Sequence, residues 1–136
     1  MKRTALLNRH LSELIASLGH MDEIIVADAG LPVPQGVRVI DLAVSEGVPG
    51  FQDVLRALRS ELVIESAIWA EEASANLSAV MQEEIALWSR QAARDVAVSR
   101  LSHAEFKRRS SHVRAIIRTG EFTPYANILL RSGVPF

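Results

Sequence analysis

Four consecutive apolar residues, Ile24, Ile25, Val26 and Ala27, stand between Asp22-Glu23 and Asp28, and this run limits the possible folds more than any other stretch. It is short and does not alternate, so it reads as a strand covered on both faces, as in a parallel sheet flanked by helices. Gly30, Pro32 and Pro34 stop it abruptly, because proline fixes φ and has no N–H to give to a ladder. Asp28 therefore falls at the strand's carboxyl end, where open α/β sheets bind their ligands.

The rest of the chain alternates in the same sense. Asn8 is placed to cap a helix whose stripe is Leu11, Leu14, Ile15 and Leu18, with Gly19 as its stop, which delivers His20 to the edge of the sheet. Val37–Leu42 reads as a second strand, Phe51 to Leu62 as a helix, and Ala67–Ala70 as a buried strand ending at Glu71 and Glu72. Leu77, Val80, Met81, Ile85 and Trp88 mark a longer helix capped by Asn76, followed by a strand over Val96–Leu101. Ser102-His-Ala-Glu105 has the form of a capping box opening a short helix. Strands over Val113–Arg118 and Ile128–Leu130 enclose a loop from Gly120 to Asn127. The alternation predicts an α/β fold, a three-layer αβα arrangement with a largely parallel central sheet, as a single domain over residues 1–136.

Charge and cysteine content narrow the function. With 15 Lys+Arg against 16 Asp+Glu, the chain lacks the basic surface that binding nucleic acid requires. There is no cysteine, which removes disulfides, thiolate metal sites and a cysteine nucleophile, and fits a reducing, cytoplasmic setting. No apolar run is long enough for a membrane span. An apolar fraction of 49% suits a protein that buries surface against copies of itself. The four histidines lack zinc spacing, so no metal is expected, and the scattered glycines form neither a phosphate loop nor a dinucleotide fingerprint.

Several residues carry chemistry of their own. His20 belongs to the residue type most often used where a proton is given and taken back; its bland alternative is a surface histidine at a helix end. Asp28 is either a turn residue bonded to its own loop or a carboxylate that accepts from ligand hydroxyls. His103 occupies the first turn of the Ser102 helix, where a neutral imidazole offers one donor and one acceptor. Tyr125 and Asn127 combine an aromatic edge, a hydroxyl and a two-sided amide, a set that suits a polyol. Glu71 and Glu72 form a possible carboxylate pair, more often a solvated strand end.

Taken together, Leu6-Leu7-Asn8, the stretch from Gly19 to Pro34, Ser102-His-Ala-Glu-Phe106 and Gly120-Glu-Phe-Thr-Pro-Tyr-Ala-Asn127 give the chain a specific likeness. It resembles the D-ribose pyranase and L-fucose mutarotase family along essentially its whole length. The resemblance implies a cofactor-free isomerase that interconverts the β-pyranose and β-furanose forms of free D-ribose. It implies that His20 is the proton donor, and that Asp28, His103, Tyr125, Ala126 (through its main chain) and Asn127 hold the sugar. It further implies a homodecamer of two stacked pentameric rings with the pocket between neighbours, His20 and Asp28 acting with Tyr125 and Asn127 of the adjacent subunit. Mutarotation of another sugar such as L-fucose, or a sugar-binding accessory role in ribose transport without turnover, remains as an alternative.

Overall fold

The computed structural model describes residues 1–136. The elements run α1 (Arg9–Ser17), β1 (Glu23–Ala27), β2 (Val39–Asp41), α2 (Phe51–Arg59), β3 (Ile64–Ala70), α3 (Ala75–Ala92), β4 (Ala97–Leu101), α4 (His103–Arg109), β5 (Ala115–Arg118) and β6 (Ile128–Ser132). The six strands form one sheet in the order β2-β5-β1-β6-β3-β4. Strand β5 pairs in parallel with β1 and β2, and β3 in parallel with β4. Only β6 runs antiparallel, and it lies between β1 and β3. The largely parallel αβα sheet expected from the alternation is the one observed.

Period-two alternation along β1 divides the interior. Ile24 and Val26 point into a cluster of 24 buried residues with α1, α2 and α3. Ile25 and Ala27 point the other way, into a cluster of 8 that includes Phe106 of α4. Helices thus cover both faces, but unequally. Each run that read as continuously apolar does so because both alternating sets are buried.

Caps and indole donors lock the larger layer. The Asn8 side chain accepts from the N–H groups of His10 and Leu11 at 2.9 and 3.0 Å, as its position predicts. Helix α3 begins earlier than expected: Ser74, not Asn76, is its cap, accepting the Leu77 N–H at 3.1 Å. A serine hydroxyl at that point satisfies a free donor of the first turn, leaving Asn76 inside the helix. The Ser102 box is half made. Ser102 accepts from the Glu105 N–H, whereas the Glu105 carboxylate pairs with Arg108. Trp88 Nε1 donates to the Leu62 carbonyl at 2.8 Å and Trp69 Nε1 to Ser78 Oγ at 3.2 Å; a buried donor left unpaired would cost about 1–3 kcal/mol.

Strand β2 is shorter than the expected Val37–Leu42 because it is an edge strand that pairs with β5 alone. Strand β3 is longer than expected, since Ile64 pairs with Ser132 across a β-bulge.

The loop after β5 lies against the loop before α2. The Gly47 N–H donates to the Gly120 carbonyl at 2.7 Å and the Gly120 N–H to the Pro49 carbonyl at 2.9 Å. A Cβ on Gly120 would strike the Ser45 carbonyl and would lie 2.6 and 2.7 Å from the Val48 carbonyl and nitrogen. All three are backbone atoms that cannot swing aside. Gly120→Ala is expected to lower the chemical-denaturation midpoint by an amount equivalent to about 1–3 kcal/mol, the usual range for overpacking. Gly19→Ala, where the nearest atom is 3.7 Å away, should leave the midpoint nearly unchanged.

Candidate functional site

The carboxyl ends of the parallel strands and the start of the antiparallel β6 lie at the same end of the sheet, and a cavity of about 520 Å³ opens there. Its polar lining comprises Asp28 after β1, His103 at the start of α4, Arg118 at the end of β5, and Glu121, Tyr125 and Asn127 from the loop before β6. Leu31, Pro32, Phe122 and Pro124 supply apolar wall. A few convergent polar groups within an apolar frame is the usual make-up of a small-molecule site.

At its centre is a reciprocal pair. The Asp28 N–H donates to Asn127 Oδ1 at 2.9 Å, and Asn127 Nδ2 donates to Asp28 Oδ2 at 3.0 Å. The second carboxylate oxygen accepts the Gly30 N–H at 2.9 Å. Asp28 thus organises its own turn, the first of the two roles offered by the sequence, and it also lines the cavity. Asn127, 2% exposed, clamps Asp28 as well as lining the pocket.

Tyr125 adopts φ 65°, a left-handed conformation in which a bulky residue rarely sits. The Ala126 N–H donates to the Thr123 carbonyl at 3.3 Å, the Asn127 N–H to the Tyr125 carbonyl at 2.7 Å, and the Asn127 amide anchors the far end. Such conformations persist where the surroundings over-determine them, and they cluster at functional sites. The Tyr125 ring meets His103 edge-on, with centroids 5.0 Å apart and planes at 83°. Glu72 fixes that end of α4, its carboxylate accepting the His103 N–H at 2.8 and 3.0 Å, a favourable charge at a helix start. Glu71 and Glu72 are therefore not an acid–base pair: one of them is committed to the helix.

The structure thus brings Asp28, His103, Tyr125 and Asn127 of one chain together. Three expectations change. Ala126 packs into the larger core rather than lining the cavity, and its N–H is already bonded to Thr123. His20 lies at the opposite end of β1, four residue steps of strand or about 13 Å and more from Asp28. The division in which Asp28 draws Asn127 from a neighbour is also overturned, because the two are bonded within the chain.

Two pocket residues escaped the sequence reading. Arg118 donates from Nε to the Ala29 carbonyl at 3.0 Å and from Nη1 to the Asp41 carboxylate at 3.1 and 3.2 Å, latching the Asp28 loop to β2. Like Asp28, it ends an apolar strand, and the same rule about strand ends finds it. Glu121 accepts from Thr123 Oγ at 2.8 Å and from the Phe51 N–H at the start of α2 at 3.2 Å, while its own carbonyl accepts the Ala29 N–H. Burial pushes the Glu121 carboxyl pKa up, but the Thr123 hydroxyl and the N–H groups of Phe51, Thr123 and Phe122 outweigh it and hold the value below the ordinary one. Nowhere do three or more His, Asp or Glu side chains converge as metal ligands. No helix is long and apolar enough to cross a membrane.

Comparison with known proteins places this geometry among relatives. The model of the RbsD / FucU transport protein family matches residues 1–135. A D-ribose pyranase of Vibrio campbellii is 48% identical over the full length of both chains. The structure of Bacillus subtilis RbsD complexed with D-ribose superposes with a TM-score of 0.88 at 41% identity, covering 100% of each chain. A fucose mutarotase from Streptococcus pneumoniae in complex with L-fucose shares the fold, with a TM-score of 0.79 at 23% identity over 98% of this chain and 99% of that one.

The reciprocal pair predicts a swap. Asp28→Asn turns a donor toward the Asn127 Nδ2 donor or the Gly30 N–H, and it should cost about 1–3 kcal/mol of stability by urea denaturation. Combining Asp28→Asn with Asn127→Asp re-pairs all three hydrogen bonds and should restore most of that loss. A double variant as unstable as the sum of the singles would break the assignment.

The depressed Glu121 value also has a sign. Its stabilisation is complete above about 4.3, the ordinary value for an unfolded glutamate, and is lost as pH falls through the lower folded value. Glu121→Gln should therefore be less stable than the parent at neutral pH, and the gap should close as the solution is acidified below pH 4 or so.

Proposed function

Since the chain belongs to the RbsD / FucU transport protein family, we propose that it acts as a D-ribose pyranase, an isomerase that interconverts the β-pyranose and β-furanose forms of free D-ribose. The observation that carries this is the cavity in which Asp28, His103, Tyr125 and Asn127 of one chain converge, together with a D-ribose pyranase relative 48% identical over its full length. Asp28 accepts from sugar hydroxyls, Tyr125 and His103 frame the ring, and Asn127 holds Asp28 in place. Hydrogen bonds to a charged acceptor contribute about 1.5–3 kcal/mol, enough to orient a pentose.

In the reaction His20 gives a proton to the ring oxygen as the bond from that oxygen to the anomeric carbon breaks. The anomeric hydroxyl releases its proton to water, and its O–H electrons form the aldehyde carbonyl. Another hydroxyl of the open chain then attacks the aldehyde, the proton movements reverse, and the alternative ring closes. No bond to the protein is needed. General acid–base catalysis of this kind is worth about 10²–10⁴-fold.

The separation of His20 from the cavity along β1 supports a shared site in which His20 of a second copy completes the pocket. A head-to-tail contact that brings the start of one β1 to the end of another repeats around a ring. Assembly as two stacked pentameric rings and a cytoplasmic setting belong to the same proposal.

Saturation-transfer NMR on equilibrated ribose tests the reaction. The protein should speed exchange between pyranose and furanose signals, and His20→Ala should lose nearly all of that gain while still binding the sugar. Binding without faster exchange in the parent would leave an accessory sugar-binding protein. Complementation tests the shared site. His20→Ala and His103→Ala, each inactive alone, are dissociated, mixed equally and reassembled, and about a quarter of the head-to-tail contacts then pair two intact halves. Recovery near that fraction is expected, and a mixture as inactive as its parents would put the whole site in one chain.

A further inference from the structure

The surroundings of His20 are built as specifically as those of the cavity. Ring Nε2 lies 2.8 Å from Glu65 Oε2, and Glu65 pairs with no lysine or arginine, only with His20. The other acids at this end of the sheet are matched to arginines: Glu23 to Arg109 and Arg131 at 2.6 and 2.8 Å, and Asp22 to Arg114 at 3.4 Å.

Glu65 reaches the histidine through an irregularity in the sheet. Strands β3 and β6 pair Ile64 with Ser132 and Ser66 with Arg131, so Glu65 is the extra residue of a β-bulge, a device that re-aims one side chain. On the other flank of β6 the Met21 N–H donates to the Ser132 carbonyl at 2.9 Å, and the Ser132 N–H to the Asp22 carbonyl at 2.8 Å. The end of β6 therefore stands between the bulge and the turn that carries His20.

That turn is also constrained. Gly19 N–H donates to Asp22 Oδ2 at 2.8 Å and Asp22 N–H to the Gly19 carbonyl at 3.3 Å. Met21 is held at φ 72°, a strained conformation for a residue with a side chain. A bulge on one strand and a left-handed residue on the neighbouring turn converge on one histidine ring.

Resting on the reading that His20 supplies the proton, we infer that Glu65 is the positioning residue of His20. By accepting from Nε2–H it fixes the ring so that Nδ1 is the nitrogen presented to the sugar. In ring opening, Nδ1 of the doubly protonated ring passes its proton to the sugar's ring oxygen, which takes the electron pair of the breaking bond. Nε2–H stays on Glu65 throughout. Reclosure returns a proton to Nδ1, leaving the dyad as it began.

The experiment uses the assembled protein with its histidine ring nitrogens isotopically labelled, and follows ribose exchange by NMR in the parent, Glu65→Ala, Glu65→Gln and His20→Ala. The parent and Glu65→Gln, whose amide oxygen still accepts from Nε2–H, should show a downfield His20 Nε2–H proton protected from solvent. Glu65→Ala should lose that signal, and its kcat should fall about tenfold or more with KM within about twofold, as expected when a reacting group is misaimed rather than the sugar less well bound. An unchanged Nε2–H signal in Glu65→Ala, or a kcat near the parent's, overturns the positioning role. Full exchange in His20→Ala overturns the reading beneath it and the proposal with it; loss in His20→Ala beside full activity in Glu65→Ala overturns the positioning role alone.

Discussion

Strand β6 holds the sheet together. The parallel strands fall into two groups, β2-β5-β1 and β3-β4, and β6 joins them by pairing with β1 on one side and β3 on the other. Ile128, Leu129 and Leu130 are fully buried, and their alternating side chains enter both hydrophobic clusters. Because β6 runs against its neighbours, its first residue lies where the parallel strands end, and Asn127, just before it, arrives beside Asp28. The cavity and the continuity of the sheet thus depend on one ladder. The same strand ends, at Ser132, between the His20 turn and the Glu65 bulge.

Local patterns made most of the elements legible. The run Ile24 to Ala27 falls in β1, and Asn8 caps the first helix as its side chain predicts, whereas the helix ends on an extended Leu18 before Gly19 is reached. Asp28, His103, Tyr125 and Asn127 were each recognisable as residues with chemistry at an element end, and they do meet. Distance was not legible. His20 and Asp28 are close in sequence, yet a strand is an extended spacer, and adjacency along it means separation in space. Glu65 gave no signal because a bulge is a property of register between two strands remote in sequence. Arg118 and Glu121 lay inside segments already assigned as strand and loop, and their partners Asp41 and Phe51 come from elsewhere in the chain.

Placement of the cavity side chains rests on local strain balanced by long-range hydrogen bonds. Tyr125 sits in a conformation costing on the order of 1–3 kcal/mol. The Asn127 amide, the Thr123 carbonyl and the contact of Gly120 with the loop before α2 leave the backbone few alternatives. Arg118 and Glu121 do the same for the opposite wall, one holding the Ala29 carbonyl and the other its N–H. A rigid wall of this sort orients a small, hydroxyl-rich ligand without first having to order itself.

Strand β6 lies inside the sheet yet follows in sequence both of the strands that it joins, and this has a consequence for biosynthesis. While the chain is still emerging from the ribosome, β1 and β3 each present an unpaired edge rich in apolar side chains, the kind of surface that recruits other chains. In the finished sheet it is Ile128–Ser132 that pair with both edges, and these residues are made after both strands. Closure of the sheet therefore waits for β6 to follow the strands that it joins. Its contacts are long-range, and the nascent protein relies on speed of closure, or on a chaperone, to pass safely through its most adhesive state.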